Sequence, residues 1–425
     1  MSKFHLYRPA PATMKKDVIW SVAGNTLFAM HSVLMLAVVS HFCGLNDAGV
    51  FSLTYSISQM MYLIGCFDLV NVLVTDSRGE FNRKETLFFR LCTIAFMVLV
   101  SAVFAKLQDF TGQKLQTFGV LILYMSVLAL AEYCECNLHH NGYLYLASQS
   151  LALDIGLCSL TFGLVAYFTG SILLAVGGMC AVIVLWILFY DLPWLKATRT
   201  PAPHREFRWS AVRSLLGLCL PLLLMHLTVT YIINSPKLAI DVYLPIEYQS
   251  FFGYVMMPAS CINLLNIFAL RPQLINLAGF YNRKEYRPFT RVVMGLVLWN
   301  AAVTVVVLLG GYLLGIPILS LIYGVDLSGM EGVLCVCLVG GCFYSFATLF
   351  DAVATSMRCH RWNLIAYIAA FLCGVTIIYP MVERWQLWGA VFSYAFLMLI
   401  MAVGSGTVVF TVLSRQKKKN PGCSL

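Results

Sequence analysis

Charge is what this chain of 425 residues has least of: 11% of it is Asp, Glu, Lys or Arg, against 60% hydrophobic residues. A soluble globular chain carries about a quarter charged residues, so the scarcity excludes an ordinary soluble domain and places the chain in a bilayer. The sequence also lacks the strict alternation of a membrane barrel. It has no phosphate-binding Gly-rich loop, no Gly-x-Ser-x-Gly elbow and no metalloprotease helix, so nothing points to an enzyme or an ATP-driven pump. The opening stretch MSKFHLYRPAPATMKKD has no cleavage-like region, and the first helix is expected to be an uncleaved anchor. The 15 cysteines follow no disulfide spacing and sit mostly in apolar runs, where Cys serves as a small hydrophobe.

What is present is a succession of long apolar runs. A helix crossing about 30 Å of hydrocarbon needs about 20 apolar residues, and backbone in lipid must be internally paired. Twelve helical spans are expected, over 18–41, 48–74, 87–107, 116–135, 146–167, 172–191, 211–234, 247–270, 290–313, 331–355, 363–382 and 388–411. Of the 28 Lys and Arg residues, 24 then fall on the side of the N-terminus and 4 on the other. By the positive-inside rule both termini are expected in the cytoplasm. The net charge of +9 accordingly reports topology and contact with anionic lipids, not nucleic acid.

The heptapeptide GEFNRKE (79–85) returns almost unchanged as GFYNRKE (279–285). Each copy follows the second span of a six-span half, which reads as an internal repeat: two parallel six-helix lobes, all α. The expected organisation is an N-lobe over 1–191, a basic cytoplasmic linker over 192–210, a C-lobe over 211–412 and a basic tail over 413–425. The Asn-Arg-Lys-Glu runs themselves read as positive-inside anchors with an exposed ion pair, which contributes little. Repeats of this kind point to secondary transporters with a site near the junction of the halves.

Ionisable groups inside spans are costly and face a cavity or a partner. The candidates are Asn25, His31, Asp68, Asn71, Asp154, His226, Asn234, Asn263, Asn266 and Asp351, with Lys237 and Arg271 near the ends of spans seven and eight. Spans one, two, seven and eight hold most of them. Lys237 and Arg271 suit an anionic substrate; Asn25, His31, Asn234, Asn263 and Asn266 suit a hydrated lining; Asp68 is the candidate for ion coupling. The stretch CECNLHH (134–140) holds soft ligands but lacks structural zinc spacing, and no metal is expected.

Several passages resemble bacterial polysaccharide flippases. YIINSPKLAIDVYL (231–244) resembles their seventh-helix exit, where Asn-x-Pro-Arg is typical. Residues 247–286 are similar to the eighth helix and its loop, with Phe268, Arg271 and Pro272 as the Phe-x-x-Arg-Pro turn. LGIPILSLIYGVDLSG (314–329) resembles the ninth-to-tenth connection, and residues 24–57 fit the opening helix pair. The resemblance is to the Wzx-type, polysaccharide-exporting branch of the multidrug/oligosaccharidyl-lipid/polysaccharide exporter superfamily. It implies a two-lobe, twelve-helix fold in the bacterial inner membrane. It also implies a substrate, undecaprenyl-pyrophosphate-linked oligosaccharide, moved to the outer leaflet by alternating access. Lys237 and Arg271 would then contact the pyrophosphate, although Lys237 stands where the family has Arg and lacks the bidentate fork. No cofactor is expected beyond a proton or sodium gradient or the membrane potential. The expected partners are anionic lipids and the polysaccharide polymerase machinery, with a monomer as the default. Three rivals are weighed. A multidrug exporter of the same superfamily would show a clear acidic ion site in the N-lobe. A major-facilitator carrier would need a leading Gly that TDSRGEFNRKE (75–85) lacks. A membrane-embedded transferase would need a long outer loop, and the outer loops here are short.

Overall fold

The computed structural model describes residues 14–76, 80–198, 206–270, 273–357 and 360–419. Among them there are helices and no strands. The helices are α1 (Met14–Phe42), α2 (Leu45–Cys66), α3 (Leu69–Thr75), α4 (Arg83–Leu107), α5 (Gly112–His140), α6 (Leu144–Thr169), α7 (Ile172–Trp186) and α8 (Leu192–Ala197). They continue with α9 (Trp209–Tyr243), α10 (Glu247–Leu270), α11 (Leu274–Asn282), α12 (Tyr286–Gly310), α13 (Ile316–Tyr323), α14 (Glu331–Ser356) and α15 (His360–Lys419). π-Turns at Ile187–Asp191 and Gly311–Gly315 join α7 to α8 and α12 to α13.

Eleven described helical stretches are long and apolar enough to cross a membrane. The last of them, within α15, breaks at Gln386 (φ 50°, ψ −128°) and is two helices, which restores the expected twelve. The hairpin at this break is tight. A Cβ on Gly389 would lie 2.0 Å from the Met381 carbonyl oxygen, where no backbone can yield cheaply. Gly389→Ala is expected to cost about 1–3 kcal/mol, read as a lower melting temperature of the purified protein in detergent. An unchanged melting temperature would mean that the hairpin opens freely.

The chain divides into two units, Met1–Leu227 and Thr228–Leu425. The division falls inside α9, beyond the segment 192–210 expected as the linker. In the first unit α1 packs on α6, α2 on α5 and α4, and α7 on α5 and α6; in the second, α14 packs on α10, α12 and α15. The exterior is apolar as well as the core, and small polar residues are buried between helices. Leu321 is 81% exposed, whereas Ser58, Ser150, Ser345, Ser393 and Ser405 are fully buried. Without a hydrophobic force between helices in lipid, small and polar residues make the contacts. Gly341 shows this, since a Cβ there would meet the Ala259 backbone at 2.8 Å, so α10 and α14 touch main chain to main chain.

The two repeats of Asn-Arg-Lys-Glu fold differently. In the first, Asn82 caps α4 in a capping box with Glu85, whose Oε2 accepts from the Asn82 N–H at 2.8 Å. Glu85 is buried, and its Oε1 accepts from the Arg208 main-chain N–H (3.0 Å) and Nε (3.2 Å). Arg208 Nη2 reaches the Glu80 carbonyl at 2.6 Å, and Phe88, Phe207 and Trp209 meet edge to face. The expected exposed anchor is therefore a buried clamp. In the second copy α11 ends at Asn282, Lys284 has φ 61°, and Glu285 precedes α12 without a side-chain cap.

Candidate functional site

The seventh span is longer than its hydropathy suggested, and α9 carries Asn234, Ser235, Pro236 and Lys237 inside the helix. Pro236 cannot donate to the Ile232 carbonyl four residues back; the Ser235 hydroxyl donates to it instead, at 2.9 Å. Asn234 Nδ2 donates to the Thr230 carbonyl at 3.0 Å, and the buried Gln249 of α10 donates to the Lys237 carbonyl at 2.6 Å. The helix thus survives its proline and presents a half-buried ammonium group.

A second polar locus lies where the second span breaks. Phe67 (φ 50°) and Asp68 (φ 55°) are both left-handed, separating α2 from α3. Two consecutive non-glycine residues in this region are uncommon and strained. The Gly65 carbonyl released by the break accepts from Arg90 Nη1 (3.0 Å) and Thr93 Oγ1 (2.7 Å). Arg90 is fully buried and pairs through Nη2 with Glu132 Oε2 at 2.8 Å. Asp68 Oδ1 accepts from Asn71 Nδ2 at 2.5 Å, and its Oδ2 stands 2.5 Å from His226 Nδ1.

A third locus is acidic. Asp154 of α6 and Asp191 of the π-turn are fully buried, and with Glu135 of α5 they lie within electrostatic reach of one another. Asp191 accepts from Ser150 at 2.6 Å, and Asp154 from the Ile155 N–H at 2.5 Å. In the second unit, Asn363 donates to Asp351 at 2.9 Å, and the Tyr367 hydroxyl faces Asp351 and Ser405.

The other expected lining residues have specific places. Asn25 bonds within its own helix, to the Ser21 carbonyl at 2.7 Å. His31 is enclosed in the first unit, with Nδ1 2.7 Å from Ser159 Oγ and Nε2 3.1 Å from the Tyr124 hydroxyl. Asn263 accepts from Thr348 at 2.7 Å. Asn266 is buried, donates to Asn300 Oδ1 at 3.0 Å and contacts Ser345 Oγ. These contacts knit α10, α12 and α14 beside a cavity of about 10 Å³, room for one water molecule. Arg271 lies outside the described residues, as does Pro272 of the same motif. In CECNLHH, Cys134 and Cys136 are buried in separate packing clusters and His140 Nδ1 contacts the Leu73 carbonyl at 2.8 Å. Among the described residues no His, Cys, Asp and Glu cluster has metal-holding geometry.

Arg90, Glu132, Glu135 and Asp191 were missed from sequence. Arg90 lies inside the expected span 87–107, and that position was the available signal. The two glutamates and Asp191 sit at span ends, where hydropathy does not distinguish a buried acid from an interfacial one.

No protein-family model matches the sequence, and no curated protein matches it. Solved structures do. The inward-facing conformation of a multidrug resistance MATE family transporter of the MOP superfamily is similar at a TM-score of 0.71 and 12% identity, over 94% of this chain and 99% of that one. The outward-facing conformation of such a transporter is similar at 0.61 and 14%, over 95% and 96%. A MOP superfamily transporter from Pyrococcus furiosus, described by the reverse polarity of its binding pocket, is similar at 0.60 and 14%, over 98% and 99%. At such identities the likeness is one of fold: this chain is a multi-pass membrane protein with the fold of the MATE transporters of the MOP superfamily.

Proposed function

We propose that the chain is a flippase for undecaprenyl-pyrophosphate-linked oligosaccharide in the bacterial inner membrane, with both termini in the cytoplasm. The observation that carries the reading is Lys237, an ammonium group held inside α9 with Thr230 and Asn234 nearby. A cation at span depth attracts an anionic headgroup strongly where the dielectric is low. Neighbouring hydroxyl and amide groups suit sugar hydroxyls. The motifs around residues 231–244 and 314–329 resemble flippases, and the fold of exporters is compatible with alternating access.

A second reading is multidrug export. It is favoured by the MATE transporters that share the fold, and by the buried acids Asp154 and Asp191, which suit exchange against a cation. Deleting the gene in its own host separates the two. The flippase reading expects lipid-linked repeat units to accumulate on the cytoplasmic leaflet while surface polysaccharide disappears. Unchanged surface polysaccharide with heightened drug sensitivity would replace it by the second.

A further inference from the structure

We propose that a groove on the apolar exterior of the second unit binds an anionic phospholipid, with a hydrocarbon chain between α14 and α15 and the phosphate at the basic end of α15. The proposal is independent of the cargo. The groove has a volume of about 480 Å³. On α14, Phe343, Phe346 and Phe350 line it at intervals of three and four residues, the spacing of one helix face. On α15, Ala402 and Gly406 are four apart and buried, and Val403 and Phe410 stand exposed beside them. Gly406 sits so near Phe350 that a Cβ there would lie 3.3 Å from the ring. Phe346 stacks on Phe350 with centroids 6.2 Å apart, and Phe410 meets Phe350 at 5.9 Å. The Thr407 hydroxyl donates to the Val403 carbonyl at 2.7 Å, so it is engaged within its own helix. The floor is thus aromatic and the walls are hydrocarbon.

Apolarity alone selects no occupant, because lipid tails are as apolar as leucine and gain no hydrophobic advantage in such a groove. Length, depth and charge select one. The lining on α15 runs from Leu399 to Thr411, about 18 Å of helix, close to the roughly 15 Å of hydrocarbon in one leaflet. These residues fill the second half of the last span, and Phe343 to Phe350 run from the middle of α14 toward its end at Ser356. The two helices are parallel, so the groove lies in the leaflet on the side of the C-terminus. There α15 continues to Lys419. The stretch after Thr411 carries Arg415, Lys417, Lys418 and Lys419 and no acid.

A basic cluster directly beyond a span attracts anionic headgroups, and each further charge adds to the attraction. A lipid with its chain in the groove has its phosphate at this cluster, so one molecule satisfies both features. A zwitterionic lipid fits the same groove but brings no net charge to its basic end. A second copy of the chain seated here in the same membrane orientation would set basic end against basic end, and like charges brought together oppose such a pairing.

The test uses the full-length protein, purified, stripped of lipid and given equal amounts of phosphatidylglycerol and phosphatidylethanolamine with the same acyl chains. Native mass spectrometry then counts the lipids retained. Wild type is expected to keep one phosphatidylglycerol, with a preference of roughly tenfold over phosphatidylethanolamine. Combining Arg415→Gln, Lys417→Gln, Lys418→Gln and Lys419→Gln leaves the packed helices untouched and is expected to reduce the preference to within about twofold. Thr407→Trp fills the groove from an exposed position and is expected to abolish retention at an unchanged melting temperature. Ala402→Leu raises the groove floor and takes its place if the tryptophan variant does not fold. Equal retention of the two lipids by wild type overturns the proposal, as does a wild-type preference in the glutamine variant or wild-type retention in a folded groove variant. A wild-type dimer that Thr407→Trp dissociates would seat a second copy in the groove and overturn it as well.

Discussion

Arg90→Ala is expected to be among the most destabilising single changes in the chain, at about 3–5 kcal/mol. The side chain is fully buried and holds three helices at once. It donates to the Gly65 carbonyl at the break of α2 and pairs with Glu132 of α5 while rooted in α4. Alanine leaves the Glu132 carboxylate without its cation and the Gly65 carbonyl with Thr93 alone. Lysine is not a conservative replacement, because one ammonium cannot span two acceptors as the guanidinium fork does. The double change Arg90→Met with Glu132→Gln removes both charges together, and is expected to recover more than half of the loss, since a buried pair contributes little net stability over an apolar substitute. Thermal unfolding of the purified variants measures both effects. Arg90→Ala with a wild-type melting temperature would show that water already solvates the guanidinium.

Lys237→Ala is expected to slow flipping of undecaprenyl pyrophosphate by about 10–100-fold, the rate equivalent of losing one hydrogen bond to a charged group at about 1.5–3 kcal/mol. The Ser235 hydroxyl that supports the helix at Pro236 is untouched by the change. Lys237→Arg keeps the charge and adds the planar fork that binds phosphate bidentately, so it is expected to retain or exceed the wild-type rate. The measurement is reconstituted leaflet exchange, with melting temperature as the control for folding. A wild-type rate in Lys237→Ala would remove the phosphate contact from the proposed mechanism.

Much of the fold was legible because lipid imposes one rule on every span. Apolar length found all twelve crossings, including the pair that shares α15. Hydropathy could not see what depends on local backbone. Phe67 and Asp68 are ordinary residues in an apolar run, and nothing in their identity announces two left-handed conformations; the break is imposed by tertiary contacts from Arg90, Thr93 and His226. Lys237 was recognisable by its motif, but its depth was not, because Pro236 suggested a helix end and Ser235 repairs the ladder instead. His31 and Asn266 were found as polar residues in spans, whereas their enclosure by Tyr124, Ser159, Asn300 and Ser345 depends on helices far away in sequence. Glu132, Glu135 and Asp191 escaped notice because each sits near the end of an expected span, where charge is inexpensive if exposed, whereas the burial of Asp191 follows from how α5, α6 and the π-turn meet.

The repeated heptapeptide has a consequence that concerns symmetry. Glu85 is held by Arg208, which lies just before α9 and within the same unit. Among the described residues Glu285 has no salt bridge corresponding to that of Glu85 with Arg208. A nearly identical heptapeptide thus closes a clamp at the start of α4 and leaves an uncapped turn at the start of α12, so likeness in sequence does not carry likeness in partners.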